Sequence, residues 1–90
     1  MHAMVATVTI ADYEAAQQQL QERVIPMVKQ TPGFVAGYWL APADGKGLGL
    51  VVFDTEEHAN AMATQLRGPG LRPEGVEVES IDVREVAGNA

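Results

Sequence analysis

The side chains able to do chemistry in this 90-residue chain are few: Tyr38, His58 and His2, a carboxylate group at Asp54, Glu56 and Glu57, another at Glu77, Glu79 and Glu85, a lone Ser80, and no cysteine. His58 stands among carboxylates, a setting in which an imidazole titrates near neutrality and relays a proton; an exposed helix histidine is the plainer reading. Tyr38 offers a hydroxyl on an apolar strand, either as a catalytic group or as a core tyrosine with its hydroxyl satisfied. His2, near a terminus, is read as disordered or incidental. Glu56, Glu57 and His58 are contiguous, so they splay around a helix and cannot converge on one metal ion. Glu77, Glu79 and Glu85 read as a solvated strand face. Lys46 among Gly45, Gly47 and Gly49 lacks the strand-loop-helix setting of a phosphate loop. One mid-chain histidine and one serine do not make a nucleophilic triad. No metal or other cofactor is expected.

What must position Tyr38 is a hairpin. Phe34 to Leu40 and Leu48 to Phe53 are apolar runs joined at Asp44-Gly45, a dipeptide that accepts the positive φ of a tight turn. Both strands are apolar on both faces, so the pair must be covered twice. Direct pairing from this turn sets Leu40 opposite Gly49, Tyr38 opposite Val51 and Ala36 opposite Phe53. Phe34, Tyr38, Leu40, Val51 and Phe53 then share one face, and Val35, Trp39, Leu48, Leu50 and Val52 the other. The second set, with Trp39 as its anchor, is the expected dimer interface.

The remaining elements follow from pattern. Met4 to Ile10 alternates as a β-branched first strand, its second face the less apolar. Asp12 caps a helix with Tyr13, Ala16, Leu20, Val24 and Met27 on one stripe. Pro26 should kink or tighten that helix before it stops ahead of Pro32-Gly33. Asp54 with Glu57 forms a capping box, with Thr55 as the alternative cap, for a helix carrying Ala59, Met62, Ala63 and Leu66 and ended by Gly68. Residues 68–73, rich in Gly and Pro, read as a mobile loop. The last strand, Val76 to Val86, changes parity between Val78 and Ile81, which a bulge or bend near Ser80 explains.

Length and composition set limits. Ninety residues make one domain, with a core small enough for a second copy to help. The formal charge of −6, from twelve carboxylates and six Lys plus Arg with no basic stripe, argues against nucleic acid and anionic membranes as partners. The absence of cysteine removes disulfide and thiolate chemistry and fits a cytoplasmic protein. No signal peptide or transmembrane stretch is evident.

The order β-α-β-β-α-β is that of a ferredoxin-like sandwich with both helices on one face of a four-stranded antiparallel sheet. Pro32-Gly33-Phe34-Val35-Ala36-Gly37 after a Pro-bearing helix, with Val51-Val52-Phe53-Asp54-Thr55-Glu56-Glu57-His58-Ala59 at the second helix start, resembles the dimeric α+β barrel superfamily. Within it, the chain is similar over nearly its whole length to antibiotic-biosynthesis-monooxygenase-like domains. The resemblance implies a homodimer packed sheet against sheet and a pocket between each sheet and its own helices. Haem-degrading members carry an Asn on the first strand, a Trp at the end of the third and a His late in the second helix. None of these is matched: no Asn lies within Met4 to Ile10, Phe53 follows Val52, and His58 is in the first turn.

The expected ligand-binding set is therefore Phe34, Tyr38, Val51, Phe53 and Met62, lining an apolar gap for a small, flat hydrophobic molecule, with the Tyr38 hydroxyl as its hydrogen-bonding group. The expected function is that of a ligand-binding homodimer. One alternative is a cofactor-independent monooxygenase acting on an aromatic substrate, with Tyr38 and His58 as candidate catalytic groups; another is a purely structural or accessory dimer.

Overall fold

The computed structural model describes residues 1–68 and 75–90. Four strands, β1 (His2–Ile10), β2 (Phe34–Ala43), β3 (Lys46–Phe53) and β4 (Val76–Glu85), form an antiparallel sheet in the order β2-β3-β1-β4. A helical run over residues 13–29 joins β1 to β2, and a helix of twelve residues, Glu56–Arg67, joins β3 to β4. Met4, Ala6, Val51 and Phe53 from the sheet bury against Val28 of the first run and Ala59, Met62 and Ala63 of the second. Both helical layers thus cover the same sheet face. The result is an α+β architecture compatible with a ferredoxin-like fold. Expelling water from side chains as fully buried as Phe53, Val51 and Val28 contributes about 1.5–3 kcal/mol each.

The turn forms at Asp44-Gly45 with φ of 53° and 77°, yet the hairpin register differs from direct pairing. Ala43 pairs with Lys46, but Leu40 pairs with Leu48, so Ala41 and Pro42 together oppose Gly47. Pro42 has no N–H to give to a ladder, and a bulge is where a strand tolerates that loss. The one-residue slip reverses every facing beyond it. Tyr38 pairs with Leu50 and Trp39 with Gly49; Tyr38 and Leu40 consequently lie on the face away from the helices, and Trp39 on the face towards them. A second irregularity between Phe34 and Ala36 leaves Val35 as the extra residue and returns Phe34 to the helix side, paired with Phe53.

The first helical run consists of α1 (Tyr13–Gln19), a π-helical stretch Leu20–Val24 and α2 (Ile25–Lys29). Asp12 caps α1, its side chain accepting from the Ala15 N–H at 3.2 Å. The helix loosens ahead of Pro26 rather than tightening: the Ile25 N–H donates to the Leu20 carbonyl, five residues back. A wider turn relieves the clash between the proline ring and the preceding turn. It also inserts one residue into the helical phase, so Val28 is buried and Met27 is exposed, the reverse of what an uninterrupted stripe requires.

The third helix, α3 (Glu56–Arg67), is capped by Thr55, whose hydroxyl accepts from the His58 N–H, and not by Asp54. It ends at Gly68 as the sequence indicates; the remainder of the expected loop lies outside the described residues. On β4 the parity change is a bulge: Thr7 pairs with Ser80 and Val8 with Val78, leaving Glu79 over. Val76, Val78, Ile81 and Val83 therefore all share the face of Met4, Ala6, Val8 and Ile10. Glu79 is held on the other side by Lys46 and by the Thr9 hydroxyl at 2.6 Å. His2 is ordered in β1, with Nε2 3.5 Å from Glu56 Oε2. Among the described residues no helix is long and apolar enough to cross a membrane.

Candidate functional site

Alternation on β1 sends Met4, Ala6, Val8 and Ile10 towards the helices, and the Glu79 bulge sends Val76 and Val78 the same way. With Leu20, Val24, Val28, Val51, Met62 and Leu66 they line a cavity of about 210 Å³ that runs towards the bulged end of β2. The π-helical stretch contributes Leu20 and Val24, so the widest part of the helix forms one wall. Glycines shape the floor. A Cβ at Gly47 would come within 2.8 Å of Ile10 Cδ1, and one at Gly49 within 3.3 Å of Trp39 Cδ1 and 3.5 Å of Nε1. One at Gly37 would come within 2.8 Å of Trp39 Cη2. The indole thus lies across two glycines, its pyrrole edge on Gly49 and its benzo edge on Gly37.

Among the described residues the polar side chains at the cavity are Tyr13, Gln17 and Trp39. The Trp39 indole N–H has no hydrogen-bond partner among the described residues, and the residue lines the cavity. Tyr13 and Gln17, one turn apart on α1, stand at the helix side of the opening. Sequence reading passed over both, because Gln17 falls outside the apolar stripe and Tyr13 counted only as an apolar member of it.

Of the residues expected to contact a ligand, Val51 and Met62 line the cavity. Phe34 and Phe53 do not; they meet edge to face with centroids 6.5 Å apart and fill the core beside α3. Tyr38 is on the opposite sheet face and is 62 % exposed. That corrects its expected facing, and the bulge at Pro42 is the physical reason. Trp39 is corrected in the other direction, from the expected interface to the cavity. Leu48, Leu50, Val52 and Val35 retain the expected outward setting, half-buried except for Val35, which is exposed.

His58 lies outside the cavity as well. Its Nδ1 is 2.6 Å from Asp54 Oδ1, one helical turn apart. The hydrogen bond to His58 holds the Asp54 carboxyl below its ordinary range, against a smaller opposing effect of desolvation. The pair closes over Gly33, where φ is +79° and a Cβ would fall 2.2 Å from Asp54 Oδ1. The Asp54 N–H donates to the Gly33 carbonyl at 2.9 Å. That backbone hydrogen bond ties the segment before β2 to the start of α3. Among the described residues no cluster of His, Asp and Glu could hold a metal ion.

No protein-family model matches this chain, and no curated protein matches it.

Proposed function

We propose that this protein is a homodimer that binds a small, flat hydrophobic molecule between its sheet and its first helical run, as the resemblance to antibiotic-biosynthesis-monooxygenase-like domains implies. The observation that carries the reading is the Trp39 indole on the glycine-floored wall of a mostly apolar cavity, its N–H without a partner among the described residues. Apolar walls with one or two fixed polar groups are the usual make-up of a small-molecule site. The volume of about 210 Å³ is below the ~300–1,000 Å³ typical for drug-sized ligands, which favours a guest of two fused rings. A carbonyl or hydroxyl oxygen on that guest would accept from Trp39.

Binding is favoured over oxygenase chemistry because Tyr38 and His58, the catalytic candidates, lie away from the cavity. Deprotonating a phenol needs a base within hydrogen-bond reach of the substrate, and among the described residues the cavity's polar side chains are an indole, an amide and a phenol. The dimer reading is supported by the sheet face that the described residues leave uncovered. Leu40, Leu48, Leu50, Val52 and Tyr38 make a contiguous apolar patch there, of the kind that soluble monomers rarely expose. A second copy of the same face is the simplest cover.

Trp39 is the sole tryptophan, so its emission reports on the cavity directly. Titration with 2-naphthol is expected to change that emission saturably, at one equivalent per protomer, with no oxygen uptake. An emission that does not respond would overturn the binding reading; oxygen consumption with product formation would establish the monooxygenase alternative. Sedimentation is expected to give a dimer at micromolar concentration.

A further inference from the structure

The uncovered sheet face carries two adjacent rows of side chains that run straight across the four strands. One is Tyr38, Leu50, Val5 and Asp82; the next is Ala36, Val52, Ala3 and Arg84. The two rows are complementary on three of the four strands, with Leu50 and Val52 meeting as apolar partners on the fourth. Tyr38 answers Ala36 and Val5 answers Ala3, large against small; Asp82 answers Arg84, negative against positive. Asp82 and Arg84 are both exposed, and among the described residues neither side chain has a hydrogen bond or ion pair.

A two-fold axis parallel to the sheet and midway between the two packed sheets, perpendicular to the strands and between these rows, lays each row on the other. Packed sheets stand about 10 Å apart, so a large side chain needs a small one opposite, and these rows supply that at both β2 and β1. An axis running along either row instead would set Asp82 against Asp82 or Arg84 against Arg84, and like charges placed directly opposite are destabilising. We propose that the second copy docks with its axis between the two rows, so that Asp82 of each protomer pairs with Arg84 of the other at the rim of an apolar contact. The proposal rests on the homodimer reading and adds to it the register and the charge code. Isologous symmetry makes the pair occur twice.

The test is charge reversal at these two positions, with circular dichroism to verify folding and sedimentation equilibrium to measure association. Asp82→Arg alone and Arg84→Asp alone each replace two attractions by two repulsions and should weaken the dimer about tenfold or more at low salt, less at high salt. The double variant Asp82→Arg/Arg84→Asp should regain wild-type association. Mixing the two single variants should yield a heterodimer in preference to either homodimer, because only the mixture restores both pairs. A wild-type chain that sediments as a monomer would defeat the homodimer reading itself. A wild-type dimer whose single variants associate normally, or whose double variant stays weak, would overturn this docking register while leaving the dimer standing.

Discussion

Trp39 stands opposite Gly49 across the β2–β3 ladder, and its indole takes the space that a side chain at Gly49 would need, with Cδ1 3.3 Å from the missing Cβ. Gly37 supports the other end of the ring more tightly, at 2.8 Å. Substituting alanine at Gly37 must displace the ring and is expected to cost about 1–3 kcal/mol, as overpacking does. At Gly49 the ring has only tenths of an ångström to give, so the cost should be smaller. Urea denaturation followed by Trp39 emission measures both, and equal costs would mean that the ring is not seated as described.

Replacing Trp39 by Phe keeps an aromatic wall but removes the indole N–H. Stability is expected to fall by less than about 1.5 kcal/mol. Affinity for 1,4-naphthoquinone, whose carbonyls accept a hydrogen bond, should fall by about 1 kcal/mol, while affinity for naphthalene should change little. Calorimetric titration reads this where fluorescence no longer can. An equal loss for both probes would remove the hydrogen bond from the account.

Deleting Glu79 should be tolerated. The remaining strand would alternate Val76, Val78, Ile81 and Val83 without interruption, leaving all four on the helix face. The loss is confined to the exposed contacts with Lys46 and Thr9, and exposed pairs are worth about 0–1 kcal/mol. If Glu79 were not the bulged residue, the deletion would turn Val76 and Val78 outwards, and the thermal midpoint would collapse.

The Asp54–His58 contact makes stability depend on pH in a defined direction. The folded Asp54 carboxyl titrates below its ordinary 3.8, so its contribution is present above that unfolded value and disappears as pH falls through the lower, folded one. Wild-type protein should therefore exceed Asp54→Asn in urea midpoint at about pH 5, above the unfolded value. The margin should shrink below about pH 4. A margin that persists undiminished at about pH 2 would show that the carboxylate charge is not its source.

Elements whose cause is local were legible in the chain itself. Asp44-Gly45 announces the turn because only a few residue types accept positive φ there, and Asp12 and Gly68 mark helix ends by their caps. The parity change between Val78 and Ile81 announces the β4 bulge, because a strand with one buried face cannot change parity without an extra residue. Val51 and Met62 could be named as cavity residues since no irregularity separates them from the pattern that predicts their facing.

What the chain alone did not yield turns on single-residue slips. The bulge at Ala41-Pro42 reverses Tyr38 and Trp39, and the π-turn ahead of Pro26 exchanges Met27 for Val28. Each proline signals trouble in the ladder or helix that contains it, but not whether the backbone answers by bending, tightening or taking up an extra residue. That choice depends on which side chains find room once the layers meet: Trp39 over Gly37 and Gly49, Val28 in the core with Met62 and Phe53. The sequence by itself determined the order of elements and the face that needs cover; the packing of helix on sheet decided which aromatic residue faces the cavity and which is left for a partner.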